Sequence, residues 1–500
     1  MNAYTYFARA FALRLPETVI ESDRGEHYTY ADLERESARL AAYLTGLGLR
    51  RGDRVATQID KSPHALFLYL ACLRAGLCYL PLNTAYQPAE LGYFLRDAEP
   101  RVVVCRPSSH KSFLQLARET GEAIVHTLDD DATGSLIDSA RGAPDRYDDV
   151  ALDTDDLAVI IYTSGTTGRS KGAMVTHGNL VSNAQALTDA WHFTSTDVLL
   201  HALPIFHIHG LFVALHTVLL SGARMLFQRK FDATAVLRAL PDATVLMGVP
   251  TFYTRLLDET GLTRKAVAHM RLFVSGSAPL LPATFEAWRE RTGHTILERY
   301  GMSETGMITS NPYTEERRGG TVGKPLPDVN VRVVNDAGKT VPAGVPGPVQ
   351  IKGPNVFAGY WRMPDRTREA FTEDGWFRTG DIGQWDTDGY LSIVGRAKDL
   401  IISGGYNVYP KEIELALDAL PGIVESAVVG IPDADFGEAV TAAVVKEAHC
   451  TLDEAAIVAS LKAQLANYKI PKHIHFVAEL PRNAMGKIQK GALRARFTAN

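Results

Sequence analysis

From about residue 28 to residue 240 the chain alternates helix-like segments with short β-branched runs, and this alternation restricts the fold more than any other feature. YADLERESARLAAYLTGLGL carries apolar residues at helical spacing, whereas RVATQI, RVVVC and LAVIIY are short and strand-like. Such alternation argues for an α/β fold of largely parallel sheets covered by helices. Around Val329–Ile351 the pattern changes to strands joined by Gly/Pro turns, VNVRVVNDAGKTVPAGVPGPVQIKG, which reads as a small β subdomain or barrel. A second change follows DGYLSIVG. The helix-like YPKEIELALDAL and DEAAIVASLKAQL then flank the strand-like ESAVVGI. Five hundred residues exceed what one core usually organises. The expected division is a large domain over 1–395, a hinge at 396–398 and a small mobile α/β domain over 399–500.

Bulk chemistry narrows the partners. A net charge of −5 gives no reason to expect nucleic acid or an anionic membrane. Cys72, Cys78, Cys105 and Cys450 form no CxxC pair, so neither a zinc site nor a disulfide framework is indicated. The opening MNAYTYFARAFALRLPETVI carries Arg9 and Arg14 inside its apolar stretch and reads as an amphipathic helix rather than a signal peptide. No long uncharged apolar run is present, and a cytoplasmic protein is expected.

The chemistry is concentrated in TSGTTGRSKG, Thr163–Gly172, which follows the apolar stretch LAVIIY. Glycines let backbone approach an anion, and successive N–H groups with Thr and Ser hydroxyls can cradle phosphate oxygens. Arg169 and Lys171 add positive charge. The spacing is not that of a Walker A loop, so nucleotide handling of another kind is implied. A G-x-S-x-G pattern at Gly168–Gly172 matches a hydrolase elbow, but that motif needs a sharp strand-to-helix turn.

Seven segments occur in order: YTSGTTGRSKG, LPIFHIHG (Leu203–Gly210), SGSAPL (Ser275–Leu280), YGMSET (Tyr300–Thr305), FRTGDIG (Phe377–Gly383), GRAKDLIISGGYNVYP (Gly395–Pro410) and PRNAMGKIQK (Pro481–Lys490). With them the chain resembles the adenylate-forming superfamily of acyl-CoA synthetases, luciferases and nonribosomal peptide adenylation domains. The resemblance implies that a carboxylate attacks the α-phosphate of MgATP, and that a thiol then displaces AMP from the acyl-adenylate. It implies ATP, Mg²⁺ and coenzyme A as cofactor and co-substrates. By motif position, Thr163, Ser164, Gly165, Thr166, Thr167, Gly168 and Lys171 would hold the β- and γ-phosphates. Ser303, where the family usually has Thr, would contact the α-phosphate, and Glu304, with Thr167, would bind Mg²⁺. Asp381 and Arg396 would clamp the ribose; Tyr300 and the Gly276-Ser277-Ala278 backbone would enclose the adenine. Lys487 would neutralise charge in adenylation. Lys398 would be the hinge, and Gly404 and Gly405 would arrive for the second half-reaction. Lys487 is also chemically suited to silencing by a lysine acetyltransferase.

His207 would line or gate the acyl pocket, together with Ser277 and Met302. Arg299 is the clue to the acid, because a guanidinium buried without an anion is costly and a second substrate carboxylate would offset it. Arg255 is a weaker candidate, and a salt bridge to Glu298 or another acid is the bland alternative for Arg299. FHIHGLFVALH, MGVPTFYTRLL and LERYGMSET resemble the malonyl-CoA synthetase branch, which implies ligation of malonate, or methylmalonate, to CoA. A ligase for a monocarboxylic acid (coumarate-like or medium-chain) and an enzyme that loads a carrier protein are the other readings.

Overall fold

The computed structural model describes residues 1–121, 123–163, 170–403, 406–433, 436–483 and 486–498. Two large sheets share one core. In the first, the strands Leu297–Met302, Leu272–Ser275, Val245–Gly248, Val198–His201, Arg224–Phe227 and Thr18–Ser22 lie side by side and parallel. The antiparallel strand Gly306–Ser310 extends it at one end and His27–Thr29 at the other. In the second, Leu157–Thr163, Cys78–Pro81, Arg54–Gln58, Val102–Cys105 and Ile124–Thr127 are parallel. The alternation in sequence therefore yields the expected parallel interiors, and hairpins supply the antiparallel margins.

Local chemistry sets the elements. The helix Tyr30–Gly46 starts at Thr29, whose hydroxyl accepts from the Asp32 N–H at 3.1 Å while the Asp32 carboxylate accepts from the Thr29 N–H at 2.8 Å. The helix Pro63–Arg74 is apolar on every side and buried along its length, as a helix inside a core must be. The amphipathic opening becomes the helix Ala3–Phe11, which buries Tyr4, Phe7 and Phe11 and ends before Arg14. The Gly/Pro-rich segment forms an antiparallel four-stranded sheet of Asn330–Val333, Gly347–Lys352, Phe377–Trp385 and Leu391–Arg396.

Beyond Arg396 the strands Ile401–Ser403, Tyr406–Val408, Ile423–Asp433, Gly437–Lys446 and His473–Phe476 form one sheet. The helices Pro410–Asp418 and Glu454–Lys462 cover it with their own apolar cluster, including Ile413, Leu417, Ile457 and Leu461. Among the described residues no helix is long and apolar enough to cross a membrane. The carboxyl ends of Leu157–Thr163, Val198–His201, Leu272–Ser275 and Leu297–Met302 lead into the motif segments, the usual location of a ligand site in parallel α/β sheets.

Candidate active site

The hydroxyl- and glycine-rich segment connects two paired strands. Strand Leu157–Thr163 pairs antiparallel with Lys171–Thr176, and Thr163 lies opposite Lys171. The Tyr93 hydroxyl donates to the Ser170 carbonyl at 2.8 Å and ties down one end of the segment. Ser164, Gly165, Thr166, Thr167, Gly168 and Arg169 lie outside the described residues, as do Gly404 and Gly405. A strand, not a helix, follows Ser170, so the hydrolase-elbow geometry is not present. At the mouth of the hairpin the Lys171 ammonium sits 4.3 Å from the centroid of the Tyr360 ring.

Ser303 and Glu304 occupy the tight turn between Leu297–Met302 and Gly306–Ser310. A side chain at Gly301 would place its Cβ 2.2 Å from the Gly306 carbonyl, so only glycine allows so narrow a hairpin. Glu304 is buried; its backbone carbonyl accepts from the Phe357 N–H at 2.8 Å, and its Oε1 accepts from the Tyr360 hydroxyl at 3.1 Å. Burial pushes its carboxyl above the usual range, against the pull of Tyr360 and Lys171. Among the described residues no three His, Cys, Asp or Glu side chains cluster as a metal cage. A lone buried carboxylate beside a lysine suits Mg²⁺, which takes few protein ligands when it also rides on phosphates.

Asp381 is buried between strands, with Arg396 as its cross-strand partner. The Arg396 guanidinium lies 2.9 Å from Oδ1, and the Tyr300 hydroxyl donates to Oδ2 at 2.5 Å. Both carboxylate oxygens are thus already engaged, each with a lone pair to spare for a hydroxyl. Lys487 lies on a hairpin where its N–H donates to Asn483 Oδ1 at 3.0 Å. The residue is exposed; loss of hydration around its ammonium, then the positive charge of Arg396, lowers it to about 8, while Asp381 opposes the shift. The 3₁₀ turn Ala397–Asp399 carries Lys398, which burial also lowers. Asp381, Arg396, Lys398 and Lys487 therefore feel one another's charge across the two parts of the chain.

On the opposite face of the strand from Tyr300, Arg299 is 3% exposed. Its guanidinium lies flat against Gly276, where an added Cβ would meet it at 2.3 to 2.6 Å. Its Nε and Nη2 are buried and have no hydrogen-bond partner among the described residues. Glu298 is not that partner: its Oε1 accepts the Leu280 N–H at 3.0 Å, on the other face of the strand. Burial lowers Arg299 from 12.5 to about 9, so it stays cationic at neutral pH. The same burial, followed by repulsion from Arg299, lowers His207 to about 4 and pushes His209 well below the imidazole range. His209 Nδ1 lies 3.2 Å from the hydroxyl of Ser277, whose φ of +70° is a strained backbone.

The irregularity in the strand falls between Tyr300 and Gly301, after both residues of interest. Alternation is preserved, so Tyr300 meets Asp381 and Arg299 faces the histidines. Arg255 is exposed on its helix and does not join them. Met302 is half-buried at the strand end and Ala278 half-buried in the loop beyond Ser277. Sequence reasoning missed Tyr360 and the packing role of Gly276. Nothing near GYWRMP in the sequence signals that its tyrosine meets Lys171 and Glu304.

The AMP-binding enzyme family matches residues 8–361, and the AMP-binding enzyme C-terminal domain matches residues 412–487. The crystal structure of ATP-bound MatB from Rhodopseudomonas palustris superposes with a TM-score of 0.96 at 53% identity, covering 100% of this chain and 99% of that one. A malonate–CoA ligase of Arabidopsis thaliana is 34% identical over 94% of this chain and 84% of its own. A feruloyl-CoA synthase of an Amycolatopsis species is 36% identical over 95% of this chain and 94% of its own. The chain belongs to the AMP-binding enzyme family.

Proposed function

We propose that the protein joins a short dicarboxylic acid, malonate first and methylmalonate as its near neighbour, to coenzyme A at the expense of ATP. Membership of the family and the CoA ligases among its relatives support the coarser statement, an AMP-forming acid–CoA ligase acting through an acyl-adenylate. The observation that carries the acid is Arg299, a buried cation beside neutral histidines; its Nε and Nη2 have no hydrogen-bond partner among the described residues. A planar fork matches a carboxylate with two parallel bonds, and a second substrate anion would satisfy both orphaned donors. Ferulate would place an aromatic ring against this charge and leave it unpaired.

In this reading one substrate carboxylate is held at Arg299 and the other faces the α-phosphate. His207, Ser277 and Met302 line the pocket. Carboxylate oxygen attacks the α-phosphorus, the bond to the β-phosphate oxygen breaks, and pyrophosphate leaves. The step crowds anions, so positioned cations do most of the work. Lys171 and the segment from Thr163 take the β- and γ-phosphates, Ser303 takes the α-phosphate, and Lys487 faces the developing charge. Glu304, with Thr167, would hold Mg²⁺, which supplies further charge neutralisation on the phosphates. Asp381, Arg396, Tyr300 and the Gly276–Ala278 loop hold the nucleoside. The thiol of coenzyme A then attacks the acyl carbon and releases AMP. That step requires residues 399–500 to turn about 396–398, replacing Lys487 with the segment of Gly404 and Gly405.

The test is ATP- and CoA-dependent AMP release with malonate, methylmalonate, succinate, acetate, octanoate, coumarate and ferulate. A strong preference for malonate or methylmalonate is expected. Preference for a monocarboxylate would leave the adenylating chemistry in place and remove the role given to Arg299.

A further inference from the structure

We propose that Tyr360 is a positioning residue that fixes the phosphate-binding lysine and the metal-binding carboxylate relative to each other. The inference rests on the reading of Lys171 and Glu304 given above. One side chain touches both: the ring lies under the Lys171 ammonium at 4.3 Å, and the hydroxyl donates to Glu304 Oε1 at 3.1 Å.

The backbone around Tyr360 is built to hold it there. Gly359–Tyr360 pairs with the strand that begins at Lys171, with Tyr360 opposite Ala173, and the Trp361 N–H donates to the Gly172 carbonyl at 2.8 Å. Upstream, the Phe357 N–H reaches the Glu304 carbonyl at 2.8 Å. Asn355 Nδ2 donates to the Thr305 carbonyl at 2.8 Å, and Asn179 Nδ2 to the Val356 carbonyl at 2.9 Å. The segment from Asn355 to Trp361 is thus a strap stitched at one end to the turn of Glu304 and at the other to the hairpin of Lys171. Those two elements belong to different sheets. Asn183, on the helix that follows the Lys171 strand, also exchanges two hydrogen bonds of 3.0 Å with Met307 just beyond the Glu304 turn; the strap adds a second link, and this one runs past the ammonium and the carboxylate themselves. Tyr360 converts that backbone link into side-chain geometry. Its hydroxyl occupies one carboxylate oxygen and orients the other, while its ring gives Lys171 a face that attracts the cation without consuming its N–H donors.

The two functions separate by substitution. Tyr360→Phe keeps the ring and removes the hydroxyl; Tyr360→Leu removes both. The readout is calorimetric binding of MgATP and of metal-free ATP to the full chain, with thermal midpoint as a control. The wild-type protein is expected to bind MgATP more tightly than ATP. In Tyr360→Phe that ratio should fall on the order of tenfold, as for a lost hydrogen bond to a charged group, with metal-free ATP binding unchanged. In Tyr360→Leu metal-free ATP should also weaken, roughly three- to tenfold. An unchanged ratio in Tyr360→Phe overturns the proposal while leaving the site reading intact, and unchanged ATP binding in Tyr360→Leu overturns its lysine half. No preference for MgATP in the wild type overturns both the proposal and the assignment of Glu304.

Discussion

Replacing Arg299 by methionine should make the protein more stable and less active at once. A lowering from 12.5 to about 9 corresponds to roughly 5 kcal/mol of penalty for holding the charge buried, at about 1.4 kcal/mol per tenfold. A methionine of similar length removes that penalty; replacing even a buried ion pair by apolar groups is often neutral or stabilising by about 1–4 kcal/mol, and here there is no pairing energy to lose. The loss on the functional side is worked from the two orphaned donors. Each hydrogen bond between a charged pair contributes about 1.5–3 kcal/mol, so two predict a fall in malonate kcat/KM of roughly 10² to 10⁴. Acetate, which has no second carboxylate to pair with the guanidinium, should change by no more than a few-fold. The assay is AMP release for both acids beside a thermal melt. A lower melting temperature with equal losses for malonate and acetate would show that Arg299 supports the fold and would refute the argument.

The remaining predictions concern Lys487 and a buried acid. Lys487→Ala should lose adenylation by orders of magnitude yet still form thioester from supplied acyl-adenylate; equal loss in the two half-reactions would contradict domain rotation. Because Lys487 is lowered to about 8, kcat/KM for adenylation should fall above about pH 8 as the free enzyme loses this charge, and Lys487→Arg should move that limb upward. Burial raises Glu298 from 4.5 to about 7, so the folded state holds a proton the unfolded chain has lost, and stability should decline as pH rises across that interval. Glu298→Gln keeps the acceptor for Leu280 and should be more stable than wild type by up to about 3 kcal/mol at pH 8, with no gain at pH 4; parallel curves would refute the assignment.

The parts of the site legible in sequence were those whose chemistry is local. Thr163–Gly172 reads as an anion loop because glycine and hydroxyl residues are adjacent, and RVVVC reads as a strand because it is a short β-branched run, here buried on both faces. The parts that were not legible depend on pairings between distant segments. Tyr360 meets Glu304 and Lys171 only because a two-residue strand crosses to the other sheet, and GYWRMP carries no pattern that encodes the crossing. Gly276 reads as one more turn glycine until the guanidinium is found where its side chain would be. Asp381 reads as a ribose clamp, but its existing bonds to Tyr300 and Arg396 come from tertiary pairing.

Arg299 and Tyr300 mark the boundary between these cases. Alternation correctly puts them on opposite faces, and the usual inference is that one face is functional and the other is core or solvent. Here both faces of the strand end carry a candidate side chain. The Tyr300 face meets Asp381, and the Arg299 face meets Gly276, His207 and His209. A strand placed this way needs functional residues at consecutive positions, so its sequence, E-R-Y, is polar where a core strand would alternate. Glu298, one step earlier, is the cost of that arrangement: its carboxyl anchors the Leu280 N–H through Oε1 but leaves Oε2 buried and unpaired. Three polar side chains in a row at the end of an otherwise apolar parallel strand are therefore the signature of a wall shared by two sites.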